Sequence, residues 1–210
     1  MLNIHAFFSP IVNESRIEKE VGTLLTNNVF KKIIILGYWK EGLVENEVIS
    51  EQFEIHRIKL PVHTTKKTGI IKSVLALFSV LIFFKFVFYK CIKLRPSFLS
   101  VHNPTLLPVA SLVKKKIKTK IIYVPHELET ERAGLVGLFK RITKFVERKY
   151  IYDCDGMTVV SEPIKNWYAK YYKICGIGVV PNIPINPNYK KEFLRKKLFR
   201  EEFKISDNDL

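Results

Sequence analysis

The chain has 210 residues, with 35 Lys and Arg against 20 Asp and Glu, a formal net charge of +15. Hydrophobic residues make up 47%, so the chain can bury a core and is not intrinsically disordered, since disorder needs low hydrophobicity alongside charge. The excess charge predicts an anionic neighbour (nucleic acid, membrane surface or phosphorylated substrate) without choosing among them.

In chain order, the N-terminus MLNIHAFFSPIVNESR lacks a cationic segment before its apolar run. It reads as a first strand over residues 2–8, not a secretory signal. Ser15-Arg16-Ile17-Glu18 has the form of a capping box and predicts a helix over 14–27. Strands are predicted over 32–38 and 53–60. The apolar segment 70–92 has a longest uncharged run of a dozen residues before Lys85 and Lys90, short of the about 20 that cross a bilayer. A helix packed on a sheet is the expectation, with a membrane-dipping helix as the alternative.

Next come a strand over 98–102, a helix over 104–117 opened by Asn103 as N-cap and Pro104 as first helical residue, and a strand over 120–124. A helix over 135–151 and a strand over 156–160 follow. Ser161-Glu162-Pro163 repeats the cap-and-proline pattern for a helix over 162–173. In that helix Ile164, Trp167, Tyr168, Tyr171 and Tyr172 form a stripe read as core. A short strand over 178–180 ends the series. Apolar strands alternating with helices predict an α/β class: a Rossmann-like doubly wound parallel sheet with right-handed crossovers. From Ile183 the texture becomes a linker, then a charged amphipathic helix over 190–203.

Cys91, Cys154 and Cys175 are widely spaced and suit reduced, buried thiols of a cytosolic protein. No histidine pairs with them at zinc-ligand spacing, so no metal site is expected. A P-loop, a G-x-G-x-x-G turn after the first strand and a G-x-S-x-G elbow are all missing from the sequence. That disfavours kinase, ordinary dinucleotide-dependent and α/β-hydrolase chemistry.

In a doubly wound sheet, ligands bind outside the carboxyl ends of the strands. The loops there carry Ser9, Pro10 and Asn13 to Arg16; His102 and Asn103; Pro125, His126 and Glu127; Ser161 and Glu162; Pro181 and Asn182. A single histidine at a strand end is most often just a satisfied polar residue. Two on neighbouring loops, beside helix N-termini that favour phosphate, make His102 and His126 the candidate catalytic pair. Glu127, Glu129, Glu131 and Arg132 could bind sugar hydroxyls or cap their loop. His5, His56 and His63 carry no functional claim.

Six segments in order, SRIEKEVGTLLTNN, IIILGYW, FLSVHNPTLLPVA, IIYVPHELETERAG, CDGMTVVSEPIKNWYAKYY and GIGVVPNIPI, resemble the N-terminal domain of a GT-B-type glycosyltransferase of family 4, lipopolysaccharide or capsule type. The resemblance implies sugar transfer, normally with retention, from a UDP- or GDP-sugar co-substrate to a lipid-linked glycan or polysaccharide. It puts the acceptor on this domain and the donor on a second one, with no cofactor held tightly. His102 would lie beside the transferring sugar, and His126-Glu127-Leu128 would line the same cleft. Asn13, Ser15, Arg16, Asn103, Glu129, Glu131, Arg132, Ser161, Glu162 and Asn182 would bind acceptor or face the crevice. Two departures stand out: Asn13-Glu14-Ser15 replaces the family's Gly-Gly loop, and Ile183 follows Pro181-Asn182 in place of glycine.

The organisation expected is an acceptor-side domain over 1–185, then a linker and the first helix of a missing donor domain over 186–210. Such a chain would turn over little alone and would need a separate C-terminal half. The competing reading is a non-catalytic basic module. Lys114 to Lys116, Lys118, Lys120, Lys140, Arg141, Lys144, Arg148, Lys149, Lys190 and Lys191 would dock it on anionic membrane. Nucleic acid is disfavoured for want of an aromatic-interleaved binding motif. A peripheral position on the inner face of the plasma membrane fits either reading.

Overall fold

The computed structural model describes residues 1–64, 69–132 and 134–183. The predicted linker and helix over 186–210 lie outside the described residues. The elements in order are β1 (Leu2–Ala6), α1 (Ser15–Thr26), β2 (Lys32–Tyr38), β3 (Asn46–Ser50), β4 (Phe53–Ile58), α2 (Pro61–Thr64) and α3 (Gly69–Leu94). They continue as β5 (Phe98–Val101), α4 (Leu107–Ile117), β6 (Lys120–Tyr123), α5 (Gly137–Tyr150), β7 (Gly156–Val159), α6 (Glu162–Tyr172) and β8 (Ile177–Val179).

The strands form one sheet in the order β3-β4-β2-β1-β5-β6-β7-β8. Every pairing is parallel except β3 with β4. Moving out from β1 in both directions is the doubly wound pattern that the alternation predicts, and it puts a topological switch at β1/β5. Continuous apolar runs such as Ile33–Leu36 are buried because both faces of the sheet are covered there. One core lies under α1, with Ile17, Val21, Ile33 and Ile35. A larger one lies on the other face, where Ile4, Leu99 and Val101 meet Phe83 and Val87 of α3, Val109 and Val113 of α4 and Tyr168 of α6.

Several local expectations are corrected. β3 has no counterpart in the sequence reading, because its Val48 and Ile49 point outward and it buries nothing. It is a short edge strand, charged by Glu47 and bulged between Val48 and Ser50, as protected sheet edges are. The capping box does not form: Ser15 is the first helical residue, and the capping position belongs to Glu14. Glu14 instead accepts a hydrogen bond from the Ser9 hydroxyl at 2.5 Å. Asn103 and Ser161 stand at their capping positions without a side-chain cap bond. Pro104–Leu106 is a 3-10 turn leading into α4. In the aromatic stripe of α6, Tyr168 and Tyr172 are core, while Tyr171 is exposed and stacks on Trp167 at 4.7 Å.

The largest correction concerns α3. Phe83, Val87 and Cys91 pack it to the sheet, but Ile71, Val74, Leu77, Phe78 and Leu81 form a stripe open to solvent. Its segment Val74–Leu94 is long and apolar enough to cross a membrane by length and composition, and little of it is buried. The two lysines within it are accommodated differently: Lys85 is exposed, while the Lys90 ammonium lies 3.1 Å from His56 Nδ1 on β4. The helix is nonetheless the crossover from β4 to β5 within one sheet, so the expected packed helix holds for its second half only.

Candidate functional site

The loop after β1 is held tightly. A Cβ on Gly37 would meet the Ser9 carbonyl oxygen at 2.7 Å and Ile11 at 2.6 Å, so only glycine lets the loop cross β2 this closely. Ile11 and Asn13 adopt left-handed backbone with φ of 55° and 57°, unusual for a β-branched residue. Arg57, buried on β4, binds the carbonyls of Pro10 and Ile11 and pairs with Glu47 at 2.7 Å. The Asn103 side chain accepts the Phe8 N–H at 3.0 Å, which explains why it does not cap its own helix.

At the carboxyl edge these loops enclose a cleft of about 450 Å³, the size of a small-ligand site. Its lining includes Ser9, Glu14, Tyr38, Asn103, Glu129 and Arg132, with Val80 and Phe84 of α3 and Thr143 of α5 on the flanks. Glu129 is buried and accepts the His126 N–H at 3.2 Å. Burial raises its carboxyl pKa, against the pull of that N–H and of Arg132. A carboxyl group so placed can take or give a proton nearer neutrality than a free one.

Beside the cleft, three imidazoles run in a row. Asn3 Nδ2 lies 2.9 Å from His5 Nε2, His5 Nδ1 lies 3.0 Å from His102 Nε2, and His102 Nδ1 lies 3.1 Å from His126 Nε2. Phe7 packs on the rings of His102 and His126. His5 and His102 are fully buried and His126 is half-buried. Burial pushes the pKa of His5 and of His126 down to about 4, and it holds that of His102 well below the usual histidine range, with smaller contributions from His5, His126 and the Arg16 guanidinium.

NMR titration of the histidine ring protons should therefore give midpoints near 4 for His5 and His126, against about 6.5 for a free histidine. The unfolded chain binds protons first, so these rings withdraw stability as pH falls from about 6.5 towards 4, His5 alone by about 3 kcal/mol. Glu20, Glu129 and Glu147, raised by burial, act in the opposite sense. Midpoints near 6.5 would mean the rings are hydrated.

Of the residues singled out in the sequence, the structure places His102, His126, Asn103, Glu129 and Arg132 near one another, with Arg16, whose guanidinium reaches the Pro125 carbonyl at 3.4 Å. Others fall elsewhere. Ser15 lines a separate groove along α1. Asn13 and Glu127 are exposed, and Glu131 is taken up by Lys140 and Lys144 of α5. Glu162 pairs with Lys165 beyond the Ser161 cap, and Asn182 meets Lys19 at 3.5 Å. Sequence reasoning missed Arg57, Tyr38 and His5. For His5 the available signal was polar residues at alternate positions, Asn3 and His5, inside an apolar strand.

His5, Glu20 and His102 also bring three potential metal-ligand atoms within 4.8 Å of one another. All four nitrogens of the two rings are already paired with protein groups, so they are satisfied without a cation.

Residues 45–183 match the domain family described as Glycosyltransferase Family 4. The chain belongs to this family. No curated protein matches it in sequence. Among solved structures it is similar to sucrose-phosphate synthase from Thermosynechococcus elongatus in two forms, each at 11% identity. One has a TM-score of 0.64 and covers 86% of this chain and 48% of the other; the second has 0.60, covering 97% and 99%. It is also similar to UGT89C1 of Arabidopsis thaliana complexed with UDP-L-rhamnose (TM-score 0.57, 11% identity, 90% of this chain and 54% of that one). At these identities the likeness is one of fold, and the family domain is a Rossmann-like half of a GT-B architecture. The chain spans about half the length of two of these three structures.

Proposed function

We propose that the chain is the acceptor-side half of a retaining glycosyltransferase that moves a hexosyl group from a UDP- or GDP-sugar to a lipid-linked glycan or polysaccharide. Family membership supports sugar transfer in general, and neighbours complexed with UDP support a nucleotide-sugar donor. The donor itself would be held mainly by a second domain, as the share of the neighbours' length covered by this chain suggests. In this reading Arg132 and Arg16 attract an anionic acceptor, and Glu129 and His126 contact its hydroxyls.

The observation that carries the lipid-side reading is the orientation of α5. Its inner face is polar, with Glu147 buried, while Leu138, Phe139, Ile142 and Phe145 face solvent, Phe139 at 75% exposure. Lys140, Arg141, Lys144, Arg148 and Lys149 lie on the same helix. An apolar stripe bordered by lysine and arginine suits the headgroup region of an anionic membrane. α3, whose Ile71, Val74, Leu77, Phe78 and Leu81 are exposed, also contributes half-buried Val80 and Phe84 to the lining of the same cleft. In this reading the chain sits peripherally on the inner leaflet, a location the surface charge is compatible with. The alternative of a non-catalytic membrane-docking module shares this surface but not an occupied cleft.

The two separate by experiment. In proton–nitrogen correlation NMR of the labelled chain, a short-chain polyprenyl-linked sugar should shift or broaden signals of the cleft residues, and UDP-glucose alone should not. Silence with every glycolipid tried favours the docking module. Sugar transfer by the purified 210-residue chain overturns its assignment as one half of the enzyme.

A further inference from the structure

The row of rings has a property that no single histidine has. When imidazoles are neutral, one hydrogen lies between each pair of bonded ring nitrogens, so each ring's tautomer dictates the next. If Asn3 donates through Nδ2 to His5 Nε2, then His5 must donate from Nδ1 to His102 Nε2, and His102 from Nδ1 to His126 Nε2. His126 is left with a hydrogen on Nδ1. That atom is the one ring nitrogen of the three with no protein partner among the described residues, on the one ring of the three that is not fully buried.

The Asn3 amide is itself held. Ser100 Oγ on β5 lies 3.3 Å from both Asn3 Oδ1 and Asn3 Nδ2, so the hydroxyl hydrogen can serve the amide oxygen. β1 and β5 pair in parallel with His5 opposite Ser100 and Ala6 opposite Val101. That register sets Asn3, His5, Ser100 and His102 on one face of the sheet, under α1. Glu20 and Arg16 from α1, together with Phe7, enclose the row.

We propose that Asn3, His5 and His102 form a tautomer relay that makes His126 a fixed hydrogen-bond donor through Nδ1, directed at an oxygen acceptor such as a sugar hydroxyl or phosphate oxygen. Asn3 and His5 are positioning residues in this scheme, since neither reaches the cleft. The relay concerns the same site as the proposed transfer, but it holds for any oxygen ligand. It is tested on nitrogen chemistry alone, so it can fail or stand separately from the sugar-transfer reading.

The test is two-bond proton–nitrogen correlation NMR on the full chain labelled with 15N-histidine, at neutral pH and without ligand. All three rings should read as Nδ1–H tautomers. Asn3→Asp replaces the amide donor by a carboxylate that accepts only, and it should invert all three rings to Nε2–H, including His126, two hydrogen bonds beyond His5. His5→Phe should break the lock and leave His126 a mixture of tautomers with the fold retained. Mixed tautomers or an all-Nε2–H pattern in the parent chain overturns the proposal. So does a folded Asn3→Asp variant whose His126 keeps its Nδ1–H. If Asn3→Asp does not fold, the parent pattern and the His5→Phe result decide it in the same way.

Discussion

Glu147→Ala is expected to lower the stability of the fold by about 4 kcal/mol. The carboxylate, buried on α5, accepts hydrogen bonds from three tyrosine hydroxyls: Tyr123 at 2.6 Å, Tyr168 at 2.9 Å and Tyr172 at 2.6 Å. Removing it leaves the three phenols only one another as partners in a site closed to water, and each hydroxyl left unpaired costs about 1–3 kcal/mol. Relaxation of the rings recovers part of that sum. Glu147→Gln keeps one carbonyl acceptor and adds a donor that the Tyr172 hydroxyl can accept, so its loss should be near 1 kcal/mol. Urea unfolding of the three proteins measures the difference. A loss below about 1 kcal/mol for Glu147→Ala would show that water reaches the tyrosines. Because total stabilities are only about 5–15 kcal/mol, the alanine variant should also express poorly.

The paired change Phe139→Ser with Phe145→Ser should reduce partition onto anionic vesicles by more than about 100-fold without unfolding the chain. Both rings are exposed, at 75% and 65%, so the folded state loses almost no packing. On a membrane, each ring that enters the interface contributes about 1.5–3 kcal/mol, and each 1.4 kcal/mol is a factor of ten. Flotation with vesicles containing about one-third anionic lipid reads the partition directly. Adding salt should weaken the parent protein's binding, since lysines and arginines near the surface contribute about 1 kcal/mol each. Unchanged binding by the double variant would remove α5 from the contact. Equal binding to neutral vesicles would remove the electrostatic part while leaving the apolar part.

The two predictions concern opposite faces of one helix, and they explain each other. An amphipathic helix in a soluble domain normally turns its apolar side inward. In α5 the side facing the core meets Tyr123, Tyr168 and Tyr172, whose hydroxyls need an acceptor, so Glu147 occupies that side. The apolar residues are left outside, where only another surface can cover them. From the sequence GLFKRITKFVERKY the periodicity of the helix is plain, but which side is buried is not. That depends on three tyrosines contributed by β6 and α6, up to 25 residues away.

The same division runs through the site. Strand and helix order, the parallel sheet, and the placing of His102 and His126 on adjacent loops follow from local patterns: apolar runs, β-branched residues, and prolines at helix starts. Those patterns are short-range, so the chain itself carries them. The capping box read from Ser15 and the N-cap read from Asn103 do not form as expected. A polar side chain near a helix start has several possible partners, and the β1 loop binds both Glu14, which stands at the capping position of α1, and Asn103.

By itself the sequence determined the fold class, the family resemblance, the excess of positive charge and the edge of the sheet at which the cleft lies. Only the tertiary structure decided that His5 joins His102 and His126, because parallel register between β1 and β5 is invisible in a single chain read end to end. It also decided that His102 is enclosed while His126 stays partly open, and that α5 turns its apolar side outward. Each of these outcomes depends on desolvation, which is set by what packs against a residue from distant parts of the chain.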